Sequence, residues 1–116
     1  MTLRHLSFAV LLASPMLVSC MGMAAMGAVS GIAEAHDAGN CAQVITEVDQ
    51  YHSFFTDRPA LAAEAFYLKG DCLIRMGQST EGYGLMQYIA EQHPESPYAY
   101  QAKARIDARA RNATPD

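Results

Sequence analysis

The stretch "AEAFYLKGDCLIRMGQSTEGYGLMQYIAEQHPES", residues 63–96, decides the fold of this chain. It has helical character on both sides of "MGQS", yet it contains Gly70 and Gly77 in its interior and Pro94 near its end. Glycine and proline both disfavour the interior of a solitary helix. Their positions therefore predict two helices joined by a turn, with the proline ending the second helix.

The flanking segments also carry helical periodicity. Before the quoted stretch, spacings of three and four residues form one predicted helical face, which comprises Cys41, Val44, Ile45, Val48, Tyr51, His52 and Phe55. Asp57 is placed to cap a helix that starts at Pro59. After the stretch, Ser96 as a cap and Pro97 in the first turn predict a last helix. No segment alternates with period two over any length, so the chain is predicted to be all-α.

Short connections predict that consecutive helices run antiparallel. The predicted inward positions are Ala62, Ala63, Phe66, Gly70, Leu73 and Gly77 on one helix, and Met86, Ile89, Ala90 and His93 on the next. About four helices are expected over residues 39–111, with a disordered tail over residues 112–116.

The quoted stretch resembles one tetratricopeptide repeat (TPR) in length and spacing. The aromatic, apolar, glycine, apolar, small, large apolar and proline positions of that repeat correspond here to Phe66, Lys69, Gly70, Leu73, Gly82, Met86 and Pro94. Lys69 and Gly82 depart from the usual leucine and alanine. The resemblance implies a short TPR-like α-solenoid of antiparallel helix pairs, in which Gly70 permits close approach, Gly77 turns the chain and Pro94 stops the second helix.

The resemblance continues on both sides of the stretch. Downstream, Tyr100 and Ala104 match Phe66 and Gly70, which implies the first helix of another repeat.

Upstream, Gly39 matches Gly77, which implies a turn followed by a second helix. The first helix of that pair would come from residues 25–38. Residues 20–38 are therefore interpreted either as an anchor and tether or as a degenerate first helix.

The N-terminus has the composition of an export signal. Arg4 and His5 give it a basic start, and an apolar run over residues 6–18 follows. The four residues "LVSC" resemble the lipobox of bacterial lipoproteins. That resemblance implies a signal peptide over residues 1–19 and lipidation of the Cys20 thiol.

Two other interpretations of the N-terminus remain open. One is cleavage after the "AEA" that ends at Ala35, and the other is an uncleaved membrane span. All three interpretations place residues 36–116 outside the cytoplasm.

That compartment would allow the remaining two cysteines to pair. Cys41 and Cys72 lie 15 or 16 residues on either side of a predicted turn near Thr56 and Asp57. Residues at equal distances from the turn of an antiparallel pair lie level with each other, which predicts a Cys41–Cys72 disulfide. Two buried free thiols are the alternative.

Neither a catalytic nor a metal-binding pattern is evident. The chain lacks C-x-x-C and closely spaced zinc ligands, and His36, His52 and His93 fall on separate predicted elements. Nucleophile sets with family context, Gly-rich phosphate loops and paired carboxylates are also missing. No enzyme activity, cofactor or metal site is predicted.

Charge divides the chain into an acidic body and a basic last helix. From Glu34 to Glu95, ten acidic residues face three basic ones, whereas "AKARIDARAR", residues 102–111, contains Lys103, Arg105, Arg109 and Arg111 against Asp107. Overall acidity and the expected location argue against nucleic acid as a partner. A solvated helix face, anionic lipid headgroups and an acidic protein partner are the interpretations of the basic helix.

The TPR resemblance implies a scaffold more than a catalyst. The first hypothesis is a membrane-anchored, periplasm-facing scaffold for protein partners, similar to small repeat lipoproteins of outer-membrane assembly or to repeat proteins of the Tol-Pal machinery. Met21 in place of aspartate favours the outer membrane, by resemblance to the sorting rule of enteric bacteria. The alternative is a small disulfide-stapled protein, cleaved after Ala35, that acts alone in the soluble periplasm as a ligand carrier or inhibitor. A second copy could complete so short a stack.

A partner-binding surface follows from the repeat geometry. The first helix of each pair lines the concave side, so positions between its core positions face the groove. These are Glu64, Tyr67, Asp71, Ile74 and Arg75 on one helix, and Tyr98, Gln101, Arg105, Ala108 and Arg109 on the last. Two tyrosines beside acidic and basic side chains suit the binding of a peptide.

Overall fold

A computed structural model describes residues 27–113, and the regular structure of this part of the chain is entirely helical. The helices are α1 (27–37), α2 (Cys41–Gln50), α3 (His52–Thr56), α4 (Pro59–Arg75), α5 (Ser79–Gln92) and α6 (Pro97–Ala113). The all-α prediction is confirmed for these residues. The helices outnumber the expected four because α1 belongs to the fold and because Tyr51 interrupts the helix expected before "TDRP". Within residues 27–113, no helix is both long and apolar enough to cross a membrane.

Helix α4 lies at the centre of the packing and contacts α2, α3, α5 and α6. Its predicted inward positions are buried from Ala62 to Leu73, whereas Gly77 lies in an exposed turn. On α5, Met86 and Ile89 are buried as predicted. Large side chains from five of the helices fill the core, with the most deeply buried being Ile32, Val44, Val48, Phe55, Leu73, Met86 and Ile89.

Helix α1 contributes to this core although its sequence is rich in small residues. Val29, Ile32 and Ala35 recur every three residues and are all buried, with Ile32 completely inaccessible to solvent. Residues 27–37 therefore form a packed helix, which corresponds to the degenerate first helix among the two interpretations of this segment.

Glycine turns connect α1 to α2 and α4 to α5. Gly39 and Gly77 adopt φ angles of 77° and 85°, which other residues rarely take. After Gly77, the backbone N–H of Gln78 donates to the carbonyl of Leu73 at 2.8 Å and so satisfies a carbonyl at the end of α4. The equivalent bond follows Gly39 at 2.9 Å. Both glycines form the turns that the sequence predicts.

Helices α4 and α5 approach each other closely at Gly70 and Gly82. A Cβ atom added at Gly82 would lie 2.6 Å from Cγ1 of Ile74 and 2.7 Å from the backbone oxygen of Gly70. Farther along the same pair, the rings of Phe66 and Tyr88 lie 6.0 Å apart. The glycine at 82 thus permits a closer approach than the alanine usual at this repeat position.

The start of α4 differs from the prediction, and the start of α6 agrees with it. Arg58, and not Asp57, is the N-cap of α4, because Pro59 disfavours helical backbone in the residue before it. The Arg58 guanidinium turns back and donates to the carbonyl of Phe54 at 3.1 Å. At α6, Oγ of Ser96 accepts the backbone N–H of Tyr98 at 3.1 Å, as expected of a cap.

Candidate partner-binding face

A buried carboxylate, Asp71 of α4, joins three helices. Its side chain is 11% exposed and lies 2.7 Å from Nε2 of His36 on α1. Arg105 of α6 donates to the other carboxylate oxygen, and Arg75 of α4 approaches Oδ2 at 2.9 Å. Because an ionised carboxylate only accepts hydrogen bonds, Nε2 of His36 carries the proton in this contact.

The pKa values show how strongly these groups are coupled. Burial alone would raise the pKa of Asp71, but hydrogen bonds from His36 and Arg105, together with the charges of Arg105 and Arg75, hold it below its ordinary value. Burial opposes the charge of Arg105, yet its bonds to Asp71 and Tyr67 raise its pKa. The network is therefore ionised at neutral pH, and its charges are engaged with one another.

Two tyrosines extend the cluster towards the N-terminal ends of α4 and α6. The ring centroids of Tyr67 and Tyr98 lie 5.5 Å apart. Burial, and then the neighbouring Glu64 carboxylate, raise the pKa of Tyr98. Six of the predicted positions share this surface, which is called the α4/α6 face and comprises Glu64, Tyr67, Asp71, Tyr98, Gln101 and Arg105.

The other predicted positions lie elsewhere. Arg75 is half-exposed and belongs to the Asp71 cluster. Arg109 lies over the ring of Tyr83 on α5, with its guanidinium carbon 4.2 Å from the ring centroid. Ile74 packs against the core, and Ala108 is half-buried. Asp71 is buried by its partners, so the acidic patch that a peptide could reach is smaller than the sequence suggests.

A cleft of about 500 Å³ opens at one end of the α4/α6 face, where both helices begin. Its walls include Pro59 and Leu61 from α4 and Pro97 and Tyr98 from α6, with the carboxylate-bearing residues Glu64 and Glu95 also lining it. The sequence did not indicate this cleft, because it depends on how the loop between α5 and α6 returns to the start of α4.

A smaller cavity of about 150 Å³ lies between α3, α4 and α5. His52, predicted to face inward, is exposed at its edge, because the break at Tyr51 ends α2 before it. Its ring centroid lies 5.6 Å from that of Phe66, and His93 lies 6.1 Å from Tyr88 on the far side. The rings pack mainly against each other, so this cavity belongs to the edge of the core.

A disulfide and an ion pair hold α2 against α4. Cys41 and Cys72 are bonded, with their Cα atoms 5.1 Å apart, which confirms the predicted pairing. Nζ of Lys69 lies 2.6 Å from Oδ1 of Asp49, so the lysine that departs from the repeat pattern pairs with α2. Cys72 adjoins Asp71 in sequence, so both tethers fix the same turn of α4.

The lipidation site predicted at Cys20 lies outside the described residues. Within residues 27–113, no group of three or more His, Cys, Asp or Glu side chains is arranged to hold a metal ion. Comparison of the chain with protein-family models, curated proteins and solved structures finds no match.

Proposed function

We propose that this chain is a membrane-anchored, TPR-like scaffold that faces the periplasm and binds protein partners of the bacterial cell envelope. The observation that carries the proposal is the convergence of Tyr67, Tyr98 and Glu64 on adjoining helices, beside an open cleft. Aromatic side chains on a rigid helical surface provide large contact areas at little entropic cost.

The contacts between α4 and α5 support the TPR-like, antiparallel arrangement. Ile74 near the end of α4 meets Gly82 near the start of α5, and Phe66 earlier on α4 meets Tyr88 later on α5. Contacts that move backward along one helix as they move forward along the other are those of an antiparallel pair.

A repeat period is also visible in the burial pattern. Ala99 and Ala102 are completely buried on α6, and they lie 34 residues after the buried Ala65 and Leu68 of α4. That separation equals the length of a tetratricopeptide repeat. Tyr100 is 79% exposed, consistent with a first helix of a pair whose second helix is not among the described residues.

The burial of α1 supports an anchor at Cys20 over cleavage after Ala35. Cleavage there would remove Val29 and Ile32 from the core, whereas processing at Cys20 would keep α1. Ile32 alone contributes on the order of 2 to 4 kcal/mol when fully buried.

Metabolic labelling with an alkyne fatty acid tests the anchor. The proposal expects label on the wild type, no label on Cys20→Ala, and recovery with outer membranes in a sucrose gradient. A soluble periplasmic protein whose N-terminal residue is His36 would instead establish the alternative, a disulfide-stapled helical protein that acts alone.

Site-specific photo-crosslinking in cells tests the binding face. Arg105→Glu is a poor test because it would set a second carboxylate against Asp71. A photoreactive residue at Gln101, exposed on the α4/α6 face, is expected to give discrete adducts with envelope proteins. The same residue at Lys103, exposed on another side of α6, is the matched control. Identical adduct patterns at the two positions would contradict the proposal.

A further inference from the structure

The cleft at the start of α4 and α6 combines an apolar wall with acidic side chains. Pro59, Leu61 and Pro97 supply the apolar surface, and Glu64 and Glu95 also line the cleft. Among the described residues that line it, none is a lysine or an arginine. A concave apolar surface with few polar groups is typical of a site that receives one or two side chains of a partner.

Two helix ends at the cleft act in the opposite sense to the glutamates. Helices α4 and α6 both begin there, and each N-terminus carries about half a positive charge. Ser96 accepts one of the N–H groups at the start of α6, and prolines occupy the first position of both helices, which removes a donor from each. Two full carboxylates exceed two half charges, so the cleft is net negative.

We infer that this cleft binds a segment of a partner protein in which an apolar side chain adjoins a lysine or arginine. The apolar side chain would enter between Leu61 and Tyr98, and the cation would lie near Glu64 and Glu95. This inference rests on the proposed scaffold function and adds the chemical class of the partner. It also separates the recognition site from the Asp71 cluster, whose charges already bind one another.

Peptide titration of the full, ¹⁵N-labelled chain in detergent micelles tests the inference by NMR. The probes are three capped tetrapeptides, Ala-Leu-Lys-Ala, Ala-Leu-Glu-Ala and Ala-Ser-Lys-Ala. The Leu-Lys probe is expected to shift the amide signals of Ala60, Leu61 and Tyr98 at millimolar concentration. Replacing either feature of the probe should weaken binding, by about fivefold in Kd for one charge contact at the rim.

Matched glutamate variants complete the test. Glu64→Gln and Glu95→Gln should each weaken binding of the Leu-Lys probe by about fivefold in Kd. Glu81→Gln, exposed at the start of α5, should leave it unchanged.

Equal or tighter binding of the Leu-Glu probe would overturn the inference, because the helix ends would then dominate. So would the absence of localised shifts with all three probes. Gln101 crosslinking reads the scaffold function separately: adducts there with a silent cleft would refute only the inference, whereas matching patterns at Gln101 and Lys103 would refute the scaffold itself.

Discussion

Nε2 of His36 lies 2.7 Å from Oδ2 of Asp71 and joins α1 to α4 through a carboxylate that also binds Arg105 of α6. The three helices are therefore held by one buried anion. Loss of that anion leaves several donors without an acceptor, which is more costly than the loss of an exposed ion pair.

Replacement of Asp71 by asparagine is expected to lower the free energy of unfolding at pH 7 by about 2 kcal/mol. The pKa of Asp71 is lower in the folded chain than the ordinary value of 3.8, so the folded state binds fewer protons. The stabilisation is fully present above about pH 4 and is lost as pH falls through the folded-state pKa. Urea unfolding from pH 7 to pH 3, followed by circular dichroism, measures it.

The matched control for Asp71→Asn is Asp57→Asn, at an exposed aspartate that follows α3. Its effect should stay within about 0.5 kcal/mol. A deficit of Asp71→Asn that grows as the solution becomes more acidic would contradict the assigned direction of the pKa shift.

Truncation of Ile32 tests whether α1 is part of the folded domain. Ile32→Ala removes a fully buried side chain and should cost about 2 to 4 kcal/mol, whereas Ser30→Ala at an exposed position of the same helix should change stability little. Thermal unfolding of both variants measures the difference. Equal melting temperatures would show that residues 27–37 do not pack in solution.

Alanine at position 82 should destabilise the pairing of α4 with α5. The added Cβ would meet the Gly70 backbone oxygen at 2.7 Å, and the resulting shift should cost about 1 to 3 kcal/mol, more than the helix propensity gained. Gly84→Ala is the control on the same helix, because no described atom lies within 4 Å of its added Cβ. It should stabilise by up to about 1 kcal/mol. The close contact would be refuted if Gly82→Ala proved as stable as Gly84→Ala.

Removal of the disulfide should reduce stability by about 3 to 4 kcal/mol, since the bond closes a loop of 31 residues. Alanine is the substitute for Cys41 and Cys72, because Cys72 is fully buried and a hydroxyl there would be unsatisfied. Unfolding of the double variant and of wild type should coincide under reducing conditions and differ under oxidising ones. A wild-type curve insensitive to reductant, or two alkylatable thiols in protein from the periplasm, would contradict the bond.

Much of the helical framework could be predicted from local signals. The periodicity of the apolar positions indicates α4 and α5, and Gly77 and Pro97 mark boundaries through their own backbone preferences. The break at Tyr51 escaped prediction because Val44, Val48 and Phe55 keep one continuous face across it. Periodicity reports which face is buried, and it is insensitive to a single irregular turn.

The candidate site could be predicted only in part. Spacing placed Tyr67 and Tyr98 on facing positions of neighbouring helices, and the structure brings their rings together. The burial of Asp71 could not be foreseen, because it requires His36 from a helix hidden among small residues and Arg105 from 34 residues downstream. Such a network depends on tertiary docking, which no single helical pattern encodes.

The Cys41–Cys72 bond makes the stability of this chain depend on its compartment. Cytosolic thiols are kept reduced, so a chain still awaiting export would lack a crosslink that contributes about 3 to 4 kcal/mol. That amount is a large share of the 5 to 15 kcal/mol or so that holds a typical domain folded. Before translocation, the small core alone would favour a loosely folded chain that a translocation channel can accept. After translocation, oxidation fixes α2 to α4, so that complete folding is conditional on export.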